Sequence, residues 1–297
     1  MTAVDFANLL IAALMLAGVY AAMSVGMTII YGVMKIVNLA HAGFLMLGAY
    51  FVYELHERIG LDPLLGVVLA FPAFFFLGAG IHWLLVRRIP PSDQPTLASL
   101  LLLFGLWLVL QNLGYLIWHN EDRAILTART FSTLQIGPIT FSTVRLTVFG
   151  AAVASLAALE FVLHKTWHGR AVRALMQNRE AGRLVGINTE RTARWAFGVG
   201  VAFTGAAGGL LAMLYSFSPS FGAPFLLRAF VVIVLGGLES FSGVAIGALI
   251  LALAETFSIL VIPAGYQPAI AYSLLVLALV ALPGGVAGLW NKRQHWA

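Results

Sequence analysis

Nine apolar stretches, most of them about 20 residues long, constrain this chain more than any other feature. They occupy residues 6–31, 37–53, 64–86, 96–118, 145–163, 195–215, 225–238, 244–262 and 269–289. A helix rising 1.5 Å per residue crosses the ~30 Å hydrocarbon layer of a bilayer in such a run. The runs lack the polar/apolar alternation over about 10 residues that marks an outer-membrane barrel. With 61% hydrophobic and only 10% charged residues, the chain lies far from the globular norm of roughly a quarter charged. The expectation is an all-α membrane protein: a polytopic helical bundle of about eight full spans plus one short or broken segment at 225–238. Residues 1–297 form a single transmembrane domain in this reading. The run at 6–31 is too long for a cleaved signal peptide, so it is expected to stay as the first helix.

Charge orders the spans. Residues 165–194 hold seven of the seventeen Lys and Arg residues and two acids, Glu180 and Glu190. That net +5 equals the charge of the whole protein, and the positive-inside rule places it in the cytoplasm. Counting back puts Arg87 and Arg88 inside, the acidic 54–62 loop outside, Lys35 inside and the N-terminus outside. Counting forward, Lys292 and Arg293 fall inside only if the short 225–238 segment reaches the inner face. A re-entrant 225–238 would instead leave the C-terminus outside. Because the basic excess sits beside membrane spans, it argues for topology and not for nucleic acid.

Several chemistries find no residues to carry them. There is no cysteine, which removes disulfides, thiolate catalysis and Cys-based metal sites. None of the three lysines follows a glycine, so no phosphate loop of the G-x-x-x-x-G-K-[ST] type exists. The H-E-x-x-H and G-x-S-x-G patterns and an intramembrane aspartate pair are also missing, arguing against a zinc protease, a serine hydrolase or a carboxylate proton relay. No cofactor or metal is expected. Transport or scaffolding remains, with ATP hydrolysis left to any partner.

Polar residues inside apolar runs are costly and usually face a partner or an aqueous cavity. Three qualify: Asn38 and His41, one turn apart in the second run, and Glu255 in the run 244–262. Glu255 reads either as a path-lining group or as a structural bridge to a neighbouring helix. Asn38 reads either as part of a path or as the N-cap of an interfacial turn. The pairs Gly205/Gly209, Gly243/Gly247 and Gly284/Gly288, each four apart, allow close helix approach.

The basic loop has more design than topology needs. Asn178 suits an N-cap with Glu180 in the turn behind it, and Gly186 suits the left-handed residue past a helix end. Two short helices are expected, at 171–177 and 179–185. Val172, Leu175 and Met176 form one apolar face, and Leu184, Val185 and Ile187 another. Such faces need something to pack on, which favours a docking element over a plain topogenic loop.

These residues carry a resemblance. Glu180-Ala181-Gly182-x-x-x-Gly186 resembles the E-A-A-x-x-x-G loop with which bacterial ABC-importer permeases engage their ATPases, with Gly182 in place of the second Ala and no I-x-L-P tail. Three ordered stretches look like the LivH family of branched-chain amino acid permeases. They are Arg173-Ala174-Leu175 through Asn188, Tyr31 to Gly43 continuing into Leu47-Gly48-Ala49-Tyr50, and Val231 to Leu238 with its Leu235-Gly236-Gly237-Leu238 end. Glu239, where a small residue is usual, and Leu282-Pro283-Gly284, lacking a preceding basic residue, depart from the pattern. The resemblance implies the permease subunit of an ATP-driven importer in the bacterial inner membrane. It implies a LivM-like second permease, two cytoplasmic ABC ATPases and an external substrate-binding protein as partners. ATPase coupling would fall to Arg173, Arg179, Glu180, Ala181, Gly182, Arg183 and Gly186, with the contact concentrated in 179–186. Asn38, His41 and Glu255 would be path residues. The substrate would be a branched-chain amino acid or a related small polar metabolite. A self-sufficient secondary carrier or channel is the rival, with Glu255 as its coupling group.

Overall fold

A computed structural model describes residues 2–89, 95–282 and 284–288. Pro90, Pro91, Pro283, Lys292 and Arg293 lie outside the described residues, so the expectations resting on them have no structural counterpart. Twelve α-helices and one small hairpin are described. Helix α1 (Ala3–Met34) starts from a reciprocal cap in which Thr2 Oγ1 accepts from Asp5 N at 3.2 Å and Asp5 accepts from Thr2 N at 2.8 Å. It ends where Lys35 turns left-handed, φ 57°. Helices α2 (His41–Ile59), α3 (Pro63–Leu84) and α4 (Pro95–Trp118) follow. The polar loop after α4 carries α5 (Ala128–Phe131) and the hairpin β1 (Thr133–Ile136) and β2 (Ile139–Ser142). The strands pair antiparallel, Thr133 opposite Ser142. Then come α6 (Thr143–Lys165), α7 (Trp167–Gln177), α8 (Arg179–Leu184), α9 (Thr189–Ala212), α10 (Gly222–Gly236), α11 (Phe241–Ser258) and α12 (Gln267–Ala281).

Helix α9 is the axle. Nearly all of it is buried, and its Gly- and Ala-rich sequence explains how. An added Cβ on Gly48 of α2 would sit 1.9 Å from the Gly205 carbonyl oxygen, and one on Gly208 would sit 2.0 Å from that of Leu45. Backbone against backbone is the close packing that small residues permit between membrane helices. Gly205 and Gly209 instead make room for side chains, Phe74 at the first and Val52 and Val67 at the second. Gly243 and Gly247 press on Gly236 and Val232 of α10. Among the described residues, Gly284 and Gly288 have no comparably close contact with another helix. Helices α4, α6 and α12 ring the outside and turn large apolar side chains outward, Leu116, Phe161 and Val280 among them, as a lipid-facing surface does.

Among the described residues, seven helices are long and apolar enough to cross a membrane, one fewer than the eight full spans expected. The difference lies in α2, whose last two turns carry Glu54, Glu57 and Arg58 and whose first residue is His41, not Val37. The chain from Lys35 to Ala40 is not helical. It is nonetheless deep, since His41 Nδ1 lies 3.1 Å from Thr204 Oγ1, about 22 Å along α9 from its start. Irregular backbone at that depth is tolerated only under a protein cover, and Ile36, Asn38 and Ala40 are all buried.

Helix α10, at 15 residues, is likewise too short to cross alone. It begins with Gly222 against the carbonyl of Ala42, so two interrupted segments start side by side in the middle of the bundle. Phe217, ahead of α10, bridges to Arg123 in the hairpin region, whereas Glu239 beyond it pairs with Lys35 at the far end of α1. This stretch therefore traverses the bundle as an irregular entry plus a short helix.

Polar contacts sort onto two ends. The hairpin end gathers Asn8 with Thr140, Trp118 with Glu54, and Arg129 with Asp62. The loop end gathers Lys35 with Glu239, Arg87 with Glu190, and α7 and α8.

Candidate functional site

The 165–194 loop folds into a two-helix unit with each end closed. Thr166 caps α7 by accepting from Gly169 N at 3.1 Å. A Cβ at Gly169 would meet the Val162 carbonyl at 2.3 Å, so α7 turns back tightly on α6. Val172, Leu175 and Met176 are buried, and the Met176 side chain lies against Gly32 of α1. The first apolar face thus packs on the protein's own spans.

Asn178 caps α8, its Oδ1 accepting from Glu180 N at 3.0 Å and Ala181 N at 2.9 Å. At the other end Gly186 is left-handed, φ 83°. Gly186 N donates to Arg183 O and Ile187 N donates to Gly182 O, both at 3.0 Å. These two bonds are the glycine-dependent stop that satisfies the last carbonyls of a helix. Gly182 is buried against Leu175, where a Cβ would sit 2.5 Å from Cδ2. An alanine at that place would require the end of the Leu175 side chain to shift.

The second apolar face is covered only at Ile187, which packs against the core. Leu184 is 89% exposed and Val185 75% exposed, and Arg179, Glu180, Ala181 and Arg183 are exposed beside them. A rigid, capped helix thus presents an apolar tip with a basic flank. Arg173 stands apart from the other predicted coupling residues. It is partly buried on α7, where it borders a cavity of about 690 Å³ together with Glu160, His164, Glu239 and Ser240. Its Nε has no hydrogen-bond partner among the described residues.

The three polar residues predicted inside the bundle fall in two places. Asn38 and His41 are fully buried, and His41 meets Thr204 of α9. Asn38 precedes α2 and does not cap it, since the cap position is Ala40 without a side-chain bond. Both Asn38 side-chain atoms, and His41 Nε2, lack a partner among the described residues. Buried polar atoms of this kind are expensive unless water or a solute reaches them.

Glu255 lies elsewhere, toward the hairpin end, in a buried network. Arg228 Nε donates to Glu255 Oε1 at 2.8 Å, and Tyr20 Oη donates to Glu255 Oε2. The side chains of Arg228 and Glu255 are only 14% and 5% exposed. A second cavity, of about 440 Å³, opens beside them between α1, α6, α10 and α11. Sequence reasoning missed Arg228 and Tyr20. Arg228 did carry a signal, being a charge inside the apolar run 225–238, the criterion that singled out Glu255.

Comparison with known proteins fits this architecture. Residues 9–282 match the family described as the branched-chain amino acid transport system permease component. The high-affinity branched-chain amino acid transport system permease protein LivH of Salmonella typhimurium is 28% identical over 284 residues, covering 92% of each chain. BraD of Pseudomonas aeruginosa, a permease protein of the same kind of system, is 28% identical over 280 residues and 91% of each chain. A probable LivH of Methanocaldococcus jannaschii is 24% identical over 287 residues, covering 92% of this chain and 90% of its own. With the match running through nearly every helix described above, the chain belongs to the branched-chain amino acid transport permease family and is a multi-pass membrane transport subunit.

Proposed function

We propose that this protein is the membrane subunit of an ATP-driven importer in the bacterial inner membrane, and that α8 is the element through which a cytoplasmic ATPase drives it. The observation that carries the reading is the α7–α8 unit: one apolar face packed beneath the spans and the other, Leu184 and Val185, left bare on a doubly capped helix. A push on α8 reaches α7 through Gly182 and Leu175, and reaches α1 through Met176 and Gly32. Arg179, Glu180, Ala181, Arg183 and Gly186 shape and flank the tip. Arg173 acts one step inward, at the loop-end cavity.

The loop end is then cytoplasmic and the hairpin end external, with the N-terminus outside. The partners are a second, LivM-like permease, two ABC ATPases and an external substrate-binding protein, and the substrate is a branched-chain amino acid or a related small polar metabolite. Asn38 and His41, at the irregular 35–40 segment, and Glu255 belong to the path or to its moving walls. The test is reconstitution. ATP-dependent uptake should require all the partners, and ATP-independent uptake by this chain alone in liposomes would instead establish a self-sufficient carrier.

A further inference from the structure

We propose that the loop-end cavity of about 690 Å³ is a binding site for a zwitterionic phospholipid, one whose headgroup carries a phosphate and a primary ammonium. This goes beyond the transport reading, on which only the choice of the inner leaflet depends. The place suits a lipid. The lining on α6 runs from Val153 to His164, about 16 Å of helix and so close to the ~15 Å depth of one hydrocarbon leaflet. Charged groups gather at the loop end of that length, and hydrocarbon lines the rest.

The apolar walls are not sealed. Val25 of α1, Val153, Leu156 and Ala157 of α6, and Val244 and Ala245 of α11 supply them. Val153 is 44% exposed, and Ala157 and Ala245 are exposed as well, so the cavity is open between α6 and α11. Helix α6 belongs to the outer ring that faces lipid. At that depth the bilayer offers no water, and an acyl chain is what fills such an opening.

At the mouth a set of donors lacks partners. Arg173 makes no hydrogen bond or ion pair among the described residues, and its Nε is a buried atom that solvent does not reach. Leaving a buried N–H of that kind unmatched is costly. The opening turn of α11 borders the same mouth through Ser240, Phe241 and Ser242. Ser240 Oγ accepts from Gly243 N at 3.0 Å and lies 3.2 Å from Ser242 Oγ. A guanidinium, two hydroxyls and the positive end of an 18-residue helix together suit a phosphate.

The acids at the mouth select the rest of the headgroup. Glu239 is held by Lys35 at 2.5 Å, and Glu160 is paired with His164 at 3.0 Å. A headgroup bearing negative charge alone would face both carboxylates. Ethanolamine places an ammonium beside the phosphate, where Glu160 accepts its N–H groups, whereas choline has no N–H to donate. The lining therefore fits phosphatidylethanolamine better than phosphatidylglycerol or phosphatidylcholine.

The test is native mass spectrometry of the purified full chain released from nanodiscs that hold these three lipids in equal parts. The wild type should retain phosphatidylethanolamine in preference, and Arg173→Gln should retain about tenfold less of it, as expected for one lost charge-assisted hydrogen bond. Arg170→Gln, an exposed cation on the same helix that does not line the cavity, should retain as much as the wild type. Glu160→Gln should bring phosphatidylglycerol up to the level of phosphatidylethanolamine. Ala157→Phe fills the open wall and should release the lipid without impairing membrane insertion.

Equal retention of the three lipids by the wild type, or undiminished retention by Arg173→Gln, overturns the proposal. So does an equal loss from Arg170→Gln, which would assign the lipid to the basic surface as a whole. Excess glycerophosphoethanolamine, the headgroup without its chains, should leave the lipid in place, and displacement by it would refute the role given to the apolar walls.

Discussion

Glu255→Gln is the substitution whose cost the structure defines most sharply. The carboxylate is 5% exposed and its partner Arg228 14% exposed, with 2.8 Å between Nε and Oε1. Losing one member of a buried pair strands the other, at a cost of about 3–5 kcal/mol, whereas removing both is close to neutral. Glutamine keeps one carbonyl to accept from Arg228 or Tyr20, so Glu255→Gln falls at the lower end, about 3 kcal/mol. Arg228→Gln leaves a buried carboxylate with Tyr20 alone and falls at the upper end. The double variant should recover most of the loss and lie within about 1 kcal/mol of the wild type. Chemical unfolding of the three variants in detergent gives the interaction energy directly, expected at several kcal/mol in the direction of rescue. If each single change costs under about 1 kcal/mol and the two add within ~0.5 kcal/mol, the pair is not the buried, coupled unit described above.

Two further outcomes follow from local geometry. Gly48→Ala or Gly208→Ala drives a methyl group into a backbone carbonyl on the partner helix, at 1.9 and 2.0 Å, and should destabilise by about 3 kcal/mol or more. Gly105→Ala meets nothing within 4 Å and should be neutral or slightly stabilising in the same chemical unfolding assay, as alanine is the better helix former. At the hairpin end, partial burial pushes the Asp62 carboxyl up, but hydrogen bonds from Arg129 and Leu64 N, with the charge of Arg129, bring it below its usual value. Its contribution is therefore present above the unfolded carboxylate range near pH 4 and fades as pH falls through the lower folded value. Hydrogen exchange in residues 123–142, corrected for intrinsic rates, should show that acid step in the wild type. Asp62→Asn should lack it, and an identical step in that variant would assign the effect to another group.

The lengths of the apolar runs made most helices legible, because crossing hydrocarbon demands unbroken hydrogen-bonded backbone and leaves a simple record in the sequence. Both caps of α8 were legible for a similar reason, since Asn178 and Gly186 answer local backbone needs. What escaped depends on long-range packing. Nothing local says that residues 35–40 leave the helical path, because their burial is supplied by α9 and other distant segments. The assignment of Asn38 as a cap failed on that point. Arg228 and Tyr20 meet Glu255 from 27 and 235 residues away in the chain, a pairing that composition cannot anticipate. Arg173 shares a charged run with Arg179 and Arg183 and was expected nearer the lipid headgroups than they are, but it borders the loop-end cavity while α8 leaves the others exposed.

Coupling through α8 can be measured most directly by replacing the bare tip, Leu184→Asp with Val185→Asp, and quantifying how much cytoplasmic ATPase copurifies with the permease. Burying each of these side chains against a partner contributes about 1.5–3 kcal/mol, so the double substitution should cut the association constant by at least a hundredfold. Because these side chains are so exposed in the isolated chain, membrane insertion and thermal unfolding of the permease should not change. The predicted result is a correctly inserted permease that no longer retains its ATPase and no longer imports. Full ATPase retention by the double variant would contradict the assignment of α8 as the coupling element.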